Sequence, residues 1–238
     1  MRCIKLGVAF LSTVFFTGIF FASISLTASA AELSAGEELP DGAEKREIII
    51  FGCYEQDNDP SNGKEDIEWI VLTKEDNKVL LLSKYALDCK VYCASYTGVT
   101  WETCSLRKWL NGPFMRIAFS SDEIEKIAAA TVTADENPEY PANPGNDTQD
   151  DIFLLSISEA EQSFTEDSER ECLATAYAED GGIFTGNNGK CWWWLRTPGY
   201  DGRYAAGVRP DGILGCHGHD INLDFYCVRP ALWIYLDE

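Results

Sequence analysis

A long apolar run near the N-terminus is the first hydrophobic pattern in the chain. It extends from Ile4 through Leu26 behind the basic residues Arg2 and Lys5, and Ala28-Ser29-Ala30 follows. A basic start, an apolar core and a small-x-small end are what a signal peptidase recognises. The pattern therefore predicts a signal peptide over residues 1–30. A retained membrane anchor is the alternative, because the run is long enough to span a bilayer.

After this run the polar and apolar positions change to the pattern of a globular domain. Residues 31–46 form a polar leader with too few apolar side chains to pack. Residues 47–238 then read as one domain, which begins with three runs rich in branched residues. These runs, Ile48–Tyr54, Ile67–Leu72 and Val79–Leu82, predict a strand meander because turn formers separate them.

Helical patterns occupy the middle of the chain. Thr100 is predicted to cap a helix that carries Leu106, Trp109 and Leu110 on one face and stops at Asn111-Gly112-Pro113. Three capping boxes predict further short helices. They are Ser120 with Glu123 for a helix through Ile124 and Ile127, Ser158 with Glu161, and Ser168 with Glu171 for a helix that runs to about Ala178.

Strand patterns return towards the C-terminus. Glu136–Asp151 is dense in Pro, Asn, Gly and Asp and predicts a surface loop, and the apolar strand Ile152–Leu155 follows it. Three more strands are predicted beyond Gly181, with a tight turn at Pro210-Asp211-Gly212. Their ranges are Cys191–Leu195, Tyr204–Val208 and Tyr226–Leu236.

Several sequence words resemble a bacterial domain family of unknown function that occurs in secreted, surface and multidomain proteins. The words are Ile67–Leu72, Leu81–Asp88, Thr100–Asn111, Trp193–Gly199 and Val228–Ile234. The resemblance covers about residues 47–238 and brings no catalytic residues with it. More distantly, the order of elements is similar to the C-type-lectin-like fold shared with formylglycine-generating enzymes. We therefore expect an α+β, C-type-lectin-like single domain with an N-terminal meander, short helices and a Trp-rich C-terminal antiparallel sheet.

The negative net charge excludes some classes of binding partner. The formal charge of the whole chain is −20, and removal of Arg2 and Lys5 with the signal peptide would make it −22. A surface this acidic repels nucleic acid and anionic lipid. With no apolar span after residue 30, we expect a bacterial protein that is secreted or held in the cell envelope, with no membrane span after cleavage.

The cysteines indicate an oxidising compartment. Cys3 lies in the signal peptide, so eight of the nine cysteines remain after cleavage. An even number in an exported chain predicts that most of them form disulfides, although the sequence leaves the pairing open. Cys216 with Cys227 is the first candidate pair, because the two flank a loop rich in glycine and aspartate.

A ligand-binding surface is predicted on two C-terminal segments, Gly199–Tyr204 and Gly215–Asp224. Both mix aromatic and polar residues without core periodicity, as binding loops do. The candidate residues are Trp192, Tyr200, Arg203, Tyr204, His217, His219, Asp220 and Asn222. Trp193 and Trp194 are expected mainly in the core, and Arg196 and Arg229 are expected to tie strands to loops by hydrogen bonds and ion pairs.

Two other motifs contain residue types that can bind metal ions. Cys216-His217-Gly218-His219-Asp220 contains metal-ligand types, and Asp57–Ser61 with Glu68 matches some positions of a calcium loop but is better read as a polar hairpin loop. No catalytic or cofactor motif is present. The sequence thus favours an exported, non-catalytic module that binds a glycan or a surface protein. A cysteine- or metal-dependent enzyme of the formylglycine-generating-enzyme-like fold, or a structural envelope module, are the alternatives.

Overall fold

The computed structural model describes residues 46–182 and 188–236. The predicted signal peptide and all of the predicted leader except Arg46 lie outside these residues. Within the described ranges, no helix has the length and apolarity needed to cross a membrane. Glu44–Glu238 forms one compact unit.

The described residues form thirteen strands, six short α-helices and one π-helical turn. The strands are β1 Ile48–Tyr54, β2 Glu65–Glu75, β3 Lys78–Ser83, β4 Asp88–Cys89, β5 Ile127–Ala128, β6 Ala130–Val132, β7 Thr148–Asp150, β8 Ile152–Phe153, β9 Trp193–Pro198, β10 Tyr204–Val208, β11 Leu214–Asp220, β12 Cys227–Val228 and β13 Ala231–Tyr235. The helices are α1 Ser105–Trp109, the π turn Leu110–Phe114, α2 Met115–Ala118, α3 Ser121–Ile124, α4 Ile157–Ser163, α5 Asp167–Arg170 and α6 Ala176–Asp180. This mixture confirms the α+β prediction.

The first sheet begins with the predicted meander. β1, β2 and β3 pair antiparallel in sequence order, which confirms the meander and places Asp57–Ser61 in the turn of the first hairpin. Trp69 on β2 is fully buried and donates its indole N–H to the Phe51 carbonyl at 2.7 Å. β13 pairs with the other side of β3, and β5 and β8 pair with β13.

The second sheet has the strand order β11-β10-β9-β12-β4. Its pairs are antiparallel except for β12 with β9, which are parallel, so the predicted C-terminal antiparallel sheet is confirmed with one parallel pair inside it. The predicted strand Tyr226–Leu236 is divided at Arg229-Pro230, because Pro230 has no N–H to donate to a ladder. The two parts, β12 and β13, therefore join different sheets.

The first helix differs from its prediction at both ends. Cys104, not Thr100, is the N-cap of α1, although Leu106 and Leu110 are buried as expected. The helical segment does not end at Asn111-Gly112-Pro113, as predicted, but continues through the π turn into α2. A wider turn accommodates the ring of Pro113, which in a regular α-helix would clash with the carbonyl four residues earlier.

The capping boxes are partly confirmed. Ser120 and Glu123 form the predicted box, but α3 ends at Ile124, and Ile127 begins β5. The other two boxes were predicted two residues late, because they form at Ser156 with Glu159 and at Glu166 with Glu169. The predicted helix to Ala178 is also interrupted, since the chain leaves the helix after Arg170 so that Leu173 can pair with Lys190.

Tryptophans and arginines organise the interior of the second sheet. Trp193 and Trp194 have 0% exposure, which confirms the core prediction for both, and Trp194 stacks on Tyr226 with ring centroids 3.9 Å apart. Arg196 donates to the Leu154 carbonyl and to Glu159, and Arg229 donates to the Ser83 carbonyl. The predicted tying role of both arginines is therefore confirmed.

Candidate ligand-binding surface

The segment predicted as the loop Gly215–Asp224 is a strand over most of its length. Residues up to Asp220 belong to β11, which among the described strands pairs with β10 alone and forms the edge of the sheet. The loop prediction is wrong there because a glycine-rich segment can still form backbone hydrogen bonds with one neighbouring strand, here β10. Its irregularity appears instead as a bulge, since the register shifts between Ala205 and Gly207 on the partner strand.

Gly218 makes this bulge possible. Its φ is +73°, and a Cβ atom at this position would lie 2.4 Å from the Ala205 carbonyl oxygen. Only glycine can adopt this positive φ at low cost and also leave room for the Ala205 carbonyl, because it has no Cβ atom. The bulge separates His217 from His219, which contact different groups of aromatic rings.

The first group, which we term the aromatic face, consists of Tyr140, Tyr200, Tyr204 and His217. Tyr200 stacks on His217 at 5.4 Å with an interplanar angle of 19°. Tyr140 contacts both of these rings edge-on at 5.5 Å, and Tyr204 contacts His217 at 5.4 Å. Tyr200 is 54% exposed, so about half of its surface remains accessible to solvent.

Backbone and amide hydrogen bonds hold the aromatic face together. The Tyr200 N–H donates to the His217 carbonyl at 2.8 Å, which fixes the stacked pair. The buried Asn137 amide donates to the Pro198 and Cys216 carbonyls at 2.8 and 2.7 Å, and its oxygen accepts from the Tyr140 N–H at 3.2 Å. Asn137 thereby docks the segment that carries Tyr140 onto the second sheet.

A second aromatic group lies beside the face. His219 contacts Trp192 at 5.2 Å and Tyr226 at 5.4 Å, and the Arg209 guanidinium lies 5.8 Å from the Trp192 ring centroid. A groove of about 330 Å³ runs between the two groups. Its lining includes Trp192, Tyr204, Arg209, His217, His219 and Asp220.

Polar groups at this surface have perturbed pKa values. Tyr96 donates to Asp220 at 2.7 Å, and this hydrogen bond, together with partial desolvation, raises the tyrosine pKa to about 12. Burial lowers the pKa of His219, which favours a neutral ring at pH 7. Arg203 pairs with Asp201 at 2.8 Å, and the hydrogen bond lowers the pKa of that carboxyl.

The structure brings six of the eight predicted ligand residues to the groove or the aromatic face. They are Trp192, Tyr200, Tyr204, His217, His219 and Asp220. Arg203 and Asn222 are exposed but belong to neither aromatic group.

The sequence did not predict three residues of this surface, which are Tyr140, Asn137 and Arg209. For Tyr140 the only signal was an aromatic residue within the loop Glu136–Asp151. That loop is not wholly superficial, because Asp150 is 2% exposed and pairs with Arg107.

The predicted disulfide between Cys216 and Cys227 does not fit the structure. Cys216 lies on β11 and Cys227 on β12, with β10 and β9 between them. Three strand spacings of about 4.8 Å separate the two by roughly 14 Å, and a disulfide requires Cα atoms closer than about 7 Å. The cysteines among the described residues are unpaired thiols, and burial raises the pKa of Cys216 to about 11.

The residues considered for metal binding are arranged differently from the sequence patterns. Within the described ranges, only Glu55, Asp57 and Glu65 form a cluster of three possible ligands, with carboxylate oxygens within 4.8 Å of one another. Glu68 pairs instead with Lys84 on the first sheet. Cys216, His217 and His219 do not converge on one point, because the Gly218 bulge directs the two rings to different neighbours.

Fold and surface together define an α+β domain of two main sheets and a two-stranded sheet of β6 and β7, with a pre-arranged aromatic surface at the edge of the second main sheet. Comparison with protein families identifies the family to which the chain belongs. The chain belongs to the family described as domain of unknown function (DUF6273), which matches residues 76–236. Comparisons with curated proteins and with solved structures gave no match.

Proposed function

We propose that the protein is an exported, non-catalytic binding module that recognises a neutral glycan through the aromatic face. The observation that carries the proposal is the stack of Tyr200 on His217, which is held by a backbone hydrogen bond while Tyr200 stays 54% exposed. A ring fixed in this way can pack on the flat face of a sugar with little further loss of side-chain freedom.

The groove beside the face supplies directional polar groups. His219 and Asp220 line it, and Arg209 lies at its side. Sugar hydroxyl groups both donate and accept, so a carboxylate, a neutral imidazole and a guanidinium offer complementary partners. An aromatic platform next to such groups supports recognition of a carbohydrate.

Charge favours a neutral glycan over an anionic one. The whole chain carries a formal charge of −20, and the field of such a surface repels polyanions. The distant resemblance to C-type-lectin-like domains agrees with a glycan ligand, although fold alone does not fix function.

Thiol chemistry gives less support to the enzyme alternative. A catalytic cysteine needs accessible thiolate, and burial raises the pKa of Cys216, the cysteine nearest the aromatic face, to about 11. A thiol with this pKa is a weak nucleophile at neutral pH, which favours the non-catalytic reading.

Affinity electrophoresis tests the proposal. The protein would be run through native gels that contain neutral polysaccharides in turn: a β-glucan, mannan, xylan and starch. At least one polysaccharide should retard the protein, and Tyr200→Ala should reduce that affinity about tenfold, which corresponds to about 1.4 kcal/mol. Because Tyr200 is largely exposed, its replacement should leave the melting temperature nearly unchanged.

Tyr235→Ala is the matched control, because Tyr235 is also exposed, at 48%, but lies on β13 of the other sheet. It should be retarded like the parent protein. Failure of every polysaccharide to retard the parent, or equal retardation of the Tyr200→Ala variant, contradicts the proposal. Capture of an envelope protein in place of the sugars would support the surface-protein reading instead.

A further inference from the structure

Four buried or half-buried cysteines lie in a row across the second sheet and its flank. We propose that they form two disulfides in the exported protein, Cys172 with Cys191 and Cys89 with Cys227. The argument depends on backbone register and is independent of the proposed glycan site.

Cys172 and Cys191 face each other across a short antiparallel ladder. The Cys191 N–H donates to the Cys172 carbonyl at 2.9 Å, and the neighbouring residues Leu173 and Lys190 form an antiparallel bridge. Residues opposed in this hydrogen-bonded way have Cα atoms about 5.5 Å apart. That separation is the commonest one for disulfides.

Cys89 and Cys227 are also directly opposed. They are Cα partners where β4 pairs antiparallel with β12, next to a hydrogen bond from the Lys90 N–H to the Tyr226 carbonyl. Opposed residues in antiparallel strands lie about 4.5–5.5 Å apart, which is again within the range of a disulfide.

The number of cysteines left without a partner decides between this pairing and its competitor. The Cys191 thiol lies near both the Cys172 and the Cys227 thiols and donates to the Cys172 carbonyl at 3.4 Å, so a bond between Cys191 and Cys227 is the competitor. A bond between Cys191 and Cys227 would leave Cys172 and Cys89 at opposite ends of the row without a partner. Pairing each cysteine with its register partner uses all four sulfurs.

Oxidation should accompany folding rather than follow it. Each bond forms when two thiols lose two protons and two electrons to a disulfide-bearing oxidant, which is reduced to two thiols. Cys172 is 2% exposed and Cys191 and Cys227 are 0% exposed, and burial raises the pKa of Cys172 well above its usual value. Once packed, the sulfurs are inaccessible, so the finished bonds should resist mild reduction until the protein unfolds.

Peptide mapping tests the pairing. The full-length chain would be reduced in denaturant and refolded with oxidised and reduced glutathione. Free thiols would then be alkylated in denaturant and the protein digested with trypsin and Asp-N. Trypsin cuts after Lys190, which separates Cys172 from Cys191, and Asp-N cuts before Asp220 and Asp224, which separates Cys216 from Cys227.

We expect two crosslinked peptide pairs, Cys172 with Cys191 and Cys89 with Cys227, both lost on reduction. Cys172→Ser should leave Cys191 alkylated, keep the Cys89–Cys227 link and lower the melting temperature by about 10 °C, the effect of opening a loop of about 20 residues. Cys216→Ser is the control and should change neither crosslink. A Cys191–Cys227 crosslink in the parent, or a refolded parent in which Cys89, Cys172, Cys191 and Cys227 are all alkylated, would overturn the proposal.

Discussion

Gly218→Ala provides the sharpest test of how the second sheet shapes the binding surface. An alanine at φ +73° costs about 1–2 kcal/mol in backbone strain. Its Cβ atom would also lie 2.4 Å from the Ala205 carbonyl oxygen, a backbone atom of the paired strand that cannot move alone. Displacing β11 from β10 loses at least one ladder hydrogen bond, worth about 1 kcal/mol.

The two terms together predict a loss of about 2–3 kcal/mol in the free energy of unfolding. For a domain of this size the loss corresponds to a fall of roughly 4–12 °C in melting temperature. Urea unfolding followed by tryptophan fluorescence measures it directly, because Trp194 is fully buried and stacked on Tyr226.

Substitutions at two other glycines separate the cost of backbone strain from the cost of contact with Ala205. Gly63 has φ +104° but nothing within 4 Å of an added Cβ, so Gly63→Ala should show the backbone cost alone, about 1–2 kcal/mol. Gly98 has neither a positive φ nor a close neighbour, so Gly98→Ala should be neutral or stabilising by about 0.5 kcal/mol. Equal losses in Gly218→Ala and Gly63→Ala would refute the claim that contact with Ala205 shapes the bulge.

Two further predictions concern pH and processing. Burial lowers the folded-state pKa of His219, so the unfolded chain binds a proton more readily and stability should fall as pH drops below about 6.5. Urea midpoints at pH 7.5 and 5.5 should therefore differ less for His219→Gln than for the parent, and an unchanged difference would argue against this cause. Mass spectrometry of exported protein should find Ala31 at the N-terminus, whereas an intact chain in the membrane fraction would favour the retained anchor.

Local sequence patterns predicted the parts of the fold that depend on local chemistry. Branched residues between turn formers predicted β1, β2 and β3, and Pro210-Asp211-Gly212 predicted a turn in which Gly212 has φ +79°. Ser120 with Glu123 predicted a capping box for the same reason, since all of its hydrogen bonds lie within one turn.

Long-range contacts explain what the sequence did not predict. β11 contains Gly, Cys and His, which have little strand preference, and it is a strand because β10 provides a ladder. Tyr140 joins the aromatic face because Asn137 bonds to carbonyls of Pro198 and Cys216, more than sixty positions away. Candidate ligand residues could be chosen by composition, but their division into two groups depends on the Gly218 bulge.

The central place of β13 has a consequence for when the protein can fold. β13 follows β3, β5 and β8 in the chain and pairs with all three, and its Ala231 lies opposite Leu82, which is 149 positions earlier in the sequence (231 minus 82). A nascent chain that has not yet emerged past Tyr235 cannot complete the first sheet, and contacts this distant in sequence form slowly. Under the proposed export, such a delay would keep the chain unfolded while it is translocated across a membrane.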